Sequence, residues 1–116
     1  MRDMEIETLQ RDVESVSVVY AERNDIARTD DWLVLKLGEE VGELTQAYLA
    51  RSGQARDKGR TPTEVEEDFG AELADVLAHV LLLAERFAVD LPAEIGRKWL
   101  AWLPRDAAAT AAGAGE

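Results

Sequence analysis

TPTEVEEDFGAELADVLAHVLLLAERF, residues 61–87, is the stretch on which the reading of the fold turns. Thr61 and Glu64 stand at the spacing of a capping box with Pro62 at the first helical position, so a helix is expected to begin there. From Phe69 to Phe87 the apolar side chains cover more than half of a helical circumference. A helix of that kind is expected at the centre of a domain. β-Branched residues are too scattered in it to argue for a strand.

Working outward, Leu33, Leu37, Val41, Leu44 and Tyr48 form one stripe of a preceding helix. Thr29, Asp30 or Asp31 is expected to cap its start, and Gly53 to follow its end. Gly53 to Arg60 carries Arg56, Lys58 and Arg60 with almost no apolar side chain and reads as an exposed basic loop. Before it, Ile6, Leu9, Val13, Val16 and Tyr20 recur at spacings of three and four, predicting a first helix from about Met4 to Arg23. After it, Leu91, Pro92 and Ala93 open a short fourth helix with Ile95, Trp99 and Trp102 on one side, stopping near Pro104. The expected fold is all-α, a four-to-five-helix bundle within residues 1–104, followed by a disordered alanine- and glycine-rich tail over 105–116.

With 116 residues there is room for one domain, and a helical domain of this size buries only roughly two-thirds of its surface. A homodimer or homotetramer is therefore expected to complete the bundle. The formal net charge of −11 opposes a nucleic-acid partner, yet an acidic protein can still bind a small phosphorylated ligand through divalent cations. No cysteine is present, so thiolate metal sites and disulfides are excluded. The N-terminus lacks the apolar run of a signal peptide, and no apolar stretch is long enough to span a bilayer, so cytoplasmic location without membrane contact is the expectation.

Chemistry is concentrated in the carboxylates. EEVGE supplies Glu39, Glu40 and Glu43, and ELAD supplies Glu72 and Asp75. At about 100° per residue the first three fall within an arc of roughly 100° beside the apolar stripe, while Glu72 and Asp75, three apart, share a face. Read alone, E-E-x-x-E is also what an ordinary solvated helix face offers. ELAD resists that reading, because Asp75 lies in a helix dominated by apolar side chains, where an unpaired charge is expensive. Like charges gathered at the edge of a core call for a cation. Mg²⁺ takes oxygen ligands and keeps positions for water and phosphate, and a single histidine, His79, gives little nitrogen ligation for transition metals.

EEVGE, a spacer from Leu44 to Ala71, then ELAD resembles the signature of the MazG-like all-α nucleoside triphosphate pyrophosphohydrolases, with the spacer at the long end of the family's range. The resemblance runs in helix order and size over about residues 5 to 103. It implies Mg²⁺, replaceable by Mn²⁺, held by Glu40, Glu43, Glu72 and Asp75, with Glu39 binding a further metal or orienting the attacking water. It implies hydrolysis of a nucleoside or deoxynucleoside triphosphate to the monophosphate and pyrophosphate, in nucleotide-pool housecleaning.

Lys36 agrees with the family's usual basic residue and could touch a phosphate or pair with Glu40. Lys98 and Arg105 resemble the basic residues that close the family's site from the last helix. The family's asparagine four residues after that lysine is replaced here by Trp102. Trp32, one turn before Lys36, could stack on a nucleobase or simply pack. Trp99 and Trp102 read as dimer or core packing, and His79 as a satisfied buried histidine or a partner of a ligand carboxylate.

EEVGEL and ADVLAHVLLL also resemble phosphoribosyl-ATP pyrophosphohydrolase of histidine synthesis. A catalytically silent helical interaction module is the alternative from another class. A di-iron carboxylate bundle is disfavoured, because the E-x-x-H pairs it uses twice are absent.

Overall fold

The computed structural model describes residues 5–104. Arg105 and the rest of the expected tail lie outside the described residues, as do residues 1–4. Four α-helices follow one another, α1 (Ile6–Arg23), α2 (Asp30–Arg51), α3 (Pro62–Arg86) and α4 (Leu91–Lys98), and a 3₁₀ turn at Leu100–Trp102 closes the described chain. No strand occurs among the described residues, and no described helix is long and apolar enough to cross a membrane.

Each helix start has a local cause. Thr61 Oγ1 accepts from the Glu64 amide at 3.1 Å while Glu64 Oε1 accepts from the Thr61 amide at 2.9 Å, the reciprocal box that the sequence predicts. Of the three candidate caps of α2, Thr29 is the one used, accepting from the Trp32 amide. Asp90 does the same for α4 through Ala93. Helix α1 starts at Ile6 without a side-chain cap.

Helix α3 is central. It packs along α2 most extensively and also against α1, whereas α4 meets chiefly the 3₁₀ turn after it. Leu33 of α2 and Leu81 of α3 are the largest fully buried side chains, joined by Leu82, Ala84, Val65 and Ala21. Ion pairs fasten the ends. Arg28 meets Glu14 through two hydrogen bonds of 2.6 and 3.0 Å, and Arg86, at the end of α3, donates to Asp30 and to the Arg28 carbonyl.

The apolar circumference of α3 is only partly covered, with Leu73 and Leu77 about half exposed. Val16 and Tyr20 on α1, and Leu35 and Val41 on α2, are likewise open to solvent. Core packing, one of the two roles expected of Trp99 and Trp102, is ruled out: they are 70% and 85% exposed. The reason is geometric, since α4 does not fold back over the three-helix core.

Burial and capping differ in their energetic weight. Leu33→Ala is expected to destabilise the protein by about 2–5 kcal/mol through the cavity it leaves, and Thr61→Ala by about 1 kcal/mol through the lost cap. Urea unfolding of both variants, followed by circular dichroism, checks the order and the sizes.

Candidate metal centre

Side by side, α2 and α3 bring the two sequence motifs together. One oxygen from each of Glu40, Glu43 and Glu72 lies within 4.8 Å of the others. The helical periods explain the pairing: Glu40 and Glu43, three apart, face α3, and Glu72 answers them from the start of ELAD. Glu40 is the one buried charged side chain among the described residues, 8% exposed.

Burial of like charges has an electrical consequence. The Glu40 carboxyl is raised above its ordinary value, first by desolvation and then by Glu43 and Asp75. Glu72 is raised for the same reasons, desolvation followed by Glu43 and Asp75. Oε2 of Glu40 and Oε2 of Glu72 are both buried without a hydrogen-bond partner. Two unsatisfied carboxylate oxygens beside a third carboxylate form a hard, all-oxygen donor set in want of positive charge, and that fits Mg²⁺ or Mn²⁺.

Around this cluster lie the remaining candidates. Asp75 is exposed and outside the three-oxygen cluster, acting on Glu40 and Glu72 through its charge. The sequence expectation of an expensive buried charge at Asp75 is thus corrected: the desolvated carboxylates are Glu40 and Glu72, because Asp75 sits on the open side of α3. Glu39 also stands outside the cluster, exposed. Lys36 pairs with Glu39 at 3.3 Å and not with Glu40, and its Nζ lies 5.9 Å from the Trp32 ring centroid. Lys98 is exposed at the end of α4 and is not brought to the carboxylates. Arg105 lies outside the described residues.

His79 turns its Nε2 to 3.7 Å from Glu40 Oε1, and its buried Nδ1 has no hydrogen-bond partner. It is therefore not a satisfied core histidine, one of the two roles the sequence allows. Burial first, and the Lys36 charge second, lower its pKa, so the ring is neutral at neutral pH. A signal for it existed in the sequence, since His79 follows Asp75 at i,i+4 on the helix that carries Glu72.

Two cavities flank the cluster. One, of about 490 Å³, lies between α1, α2 and α3; Tyr20, Val13, Val16, Trp32 and Lys36 line it, with Glu40, Asp75 and His79 at its polar side. The other, of about 500 Å³, opens between the ends of α2 and α3 and the loop joining them. Glu43 and Glu72 line it together with Arg56, Lys58 and Arg60. Carboxylates thus form the wall shared by an aromatic groove and a basic one. Nothing in the sequence pattern alone places Arg56 and Lys58 beside the glutamates.

No protein-family model matches the chain, and neither a curated protein nor a solved structure gives a significant match.

The raised carboxyls make the metal-free protein sensitive to pH. Because their folded pKa values exceed the unfolded ones, the stability they contribute is full below about pH 4.5, the ordinary value, and is lost as pH rises through the folded values. Glu40→Gln removes the buried charge and is expected to stabilise the metal-free protein at pH 7 by about 1 kcal/mol, while weakening Mn²⁺ binding. Thermal unfolding at pH 5 and pH 7, with and without Mn²⁺, measures both effects.

Proposed function

We propose that this protein is a Mg²⁺-dependent nucleotide pyrophosphohydrolase of the MazG-like kind, cleaving a nucleoside or deoxynucleoside triphosphate to the monophosphate and pyrophosphate. The observation that carries the reading is the convergence of Glu40, Glu43 and Glu72, two of them with buried, unpartnered oxygens. Two motifs separated by a long spacer meet at one point, and that is what metal chemistry on phosphate requires.

In this reading Glu40, Glu43 and Glu72 would hold the cation, with Asp75 as a further ligand from the open edge. Bound Mg²⁺ would offset charge on the phosphates and acidify a water molecule. The chain's own groups do the rest. His79, with its Nε2 3.7 Å from Glu40 Oε1, is placed to orient that carboxylate by a hydrogen bond once the two draw closer. Glu39 lies one position from the cluster on the open face of α2 and serves as proton acceptor once Lys36 turns to the substrate. Trp32 and Tyr20 offer aromatic faces to a nucleobase in the groove beside Glu40 and Asp75.

Oligomerisation belongs to the same proposal. Trp99, Leu100, Trp102 and Leu103 expose a run of large apolar side chains at the end of the described chain, and a second copy covering them would bring Lys98 toward a neighbouring site. The assembly is proposed as a homodimer or a dimer of dimers, and sedimentation equilibrium is expected to give two or four copies. A monomer at micromolar concentration contradicts it.

The activity is tested by incubating the protein and Mg²⁺ with a panel of nucleoside and deoxynucleoside triphosphates, together with phosphoribosyl-ATP, and measuring released pyrophosphate. Release from one or a few triphosphates is expected, halted by EDTA and restored by Mg²⁺ or Mn²⁺. Glu43→Ala is expected to lower kcat/KM at least about a hundredfold with the helical spectrum retained. Release from phosphoribosyl-ATP alone would move the enzyme to histidine synthesis; none from any substrate, with Mn²⁺ bound and the fold intact, would leave the silent module.

A further inference from the structure

The α2–α3 loop, residues 52–61, has more structure than its composition suggests. Arg51, at the end of α2, donates to Glu66 at 2.6 Å. Arg60, at the other end, meets Asp68 through hydrogen bonds of 2.7 and 3.0 Å and approaches Glu64 at 3.6 Å. Both ends of the loop are thereby tied to the first turns of α3. Between them Asp57 accepts from the Gly59 amide at 3.0 Å, and Lys58 and Gly59 take positive φ values of 55° and 81°, so the chain turns sharply at Lys58.

Arg56 and Lys58 are the exception to the pairing. In a chain of net charge −11, neither side chain has an ion pair or hydrogen bond among the described residues, although both line the cavity that Glu43 and Glu72 enter. Asp68 lines it too, but Arg60 neutralises it, and the Asp57 carboxylate is engaged in the turn. The cavity is therefore lined by two carboxylates, suited to a cation, and by two cationic side chains without partners among the described residues, suited to an anion.

The opposite side of the carboxylates is aromatic, and the one cation lining it among the described residues, Lys36, is paired with Glu39. A ligand crossing the centre would then have its apolar, ring-bearing part beside Trp32 and Tyr20 and its most highly charged part beside Arg56 and Lys58. We propose that Arg56 and Lys58 form the subsite for the terminal diphosphate, gripping the β- and γ-phosphates before cleavage and the released pyrophosphate after it. The assignment rests on the metal-centre reading above and adds to it the direction in which the nucleotide lies. Two cations in one cavity with candidate metal ligands suit a diphosphate, whose charge is spread over several oxygens, better than a single carboxylate.

Inorganic pyrophosphate itself is the probe. Isothermal titration of pyrophosphate into the full chain with saturating Mn²⁺, at constant ionic strength, is compared with the same titration of Arg56→Gln/Lys58→Gln, and Mn²⁺ binding alone is followed by electron paramagnetic resonance. The double variant is expected to bind pyrophosphate about a hundredfold more weakly, roughly tenfold for each cation removed, with Mn²⁺ affinity unchanged. Arg56→Lys/Lys58→Arg, which keeps both charges, is expected to stay within a few-fold of the parent. Undiminished pyrophosphate affinity in the double glutamine variant overturns the subsite and leaves the metal centre standing. So does a parent that binds Mn²⁺ but not pyrophosphate, or a glutamine variant that loses both in parallel. A parent that binds no Mn²⁺ overturns the metal-centre reading, and the subsite with it.

Discussion

Glu40 is held where a carboxylate is least at ease, in the seam between α2 and α3, with Glu43 and Glu72 close enough to repel it. An apolar side chain there would seal the seam more firmly. The helix pair instead keeps a cluster of like charges whose desolvation raises the carboxyls and leaves two oxygens without partners. Much of the surrounding structure serves that arrangement. Leu33 and Leu81 are buried between the two helices at one end, and at the other Arg51 ties α2 to Glu66 of α3 while Arg60 ties the connecting loop to Asp68.

The apolar core is correspondingly thin. Six described apolar side chains are buried, three of them on the last two turns of α3. Large apolar groups remain open on every helix, from Val16 to Trp102. Such a chain gains from any surface that covers it, and the uneven placement matters: open residues on α1 line the aromatic groove, whereas those at the end of α4 stand apart from the carboxylates. The two sets of exposed side chains lie in different surroundings, one beside a cavity with carboxylates at its polar side and one at the end of the described chain.

Helix number and order are readable from the sequence because caps and apolar stripes are local signals. The Thr61–Glu64 box and the Thr29 and Asp90 caps need only their own neighbours to form. The three-oxygen cluster is readable in part, since Glu40 and Glu43 share an arc of α2, and Glu72 lies on the facing helix. At Asp75 the sequence misleads, because an apolar helix of this kind need not be covered all round, so a residue among leucines can still face water. The pairing of Lys36 with Glu39 depends on which rotamers the packed helices leave open, and the nearness of Arg56 and Lys58 to the glutamates on how the loop folds back over α3. Spacing along the chain does not carry that information.

Helix α1 contributes to the groove that holds Tyr20 and Trp32 but supplies none of the clustered carboxylates. It is joined to the rest by its packing on α3 and by the Arg28–Glu14 clasp. One wall of the groove is therefore separable from the carboxylates, while Trp32 and Lys36 share α2 with Glu40 and Glu43. Substitutions at Val13, Val16 or Tyr20 can reshape the groove while the α2–α3 seam keeps its charges, so over evolutionary time such a scaffold is free to vary the shape and polarity of that wall without disturbing the buried carboxylates.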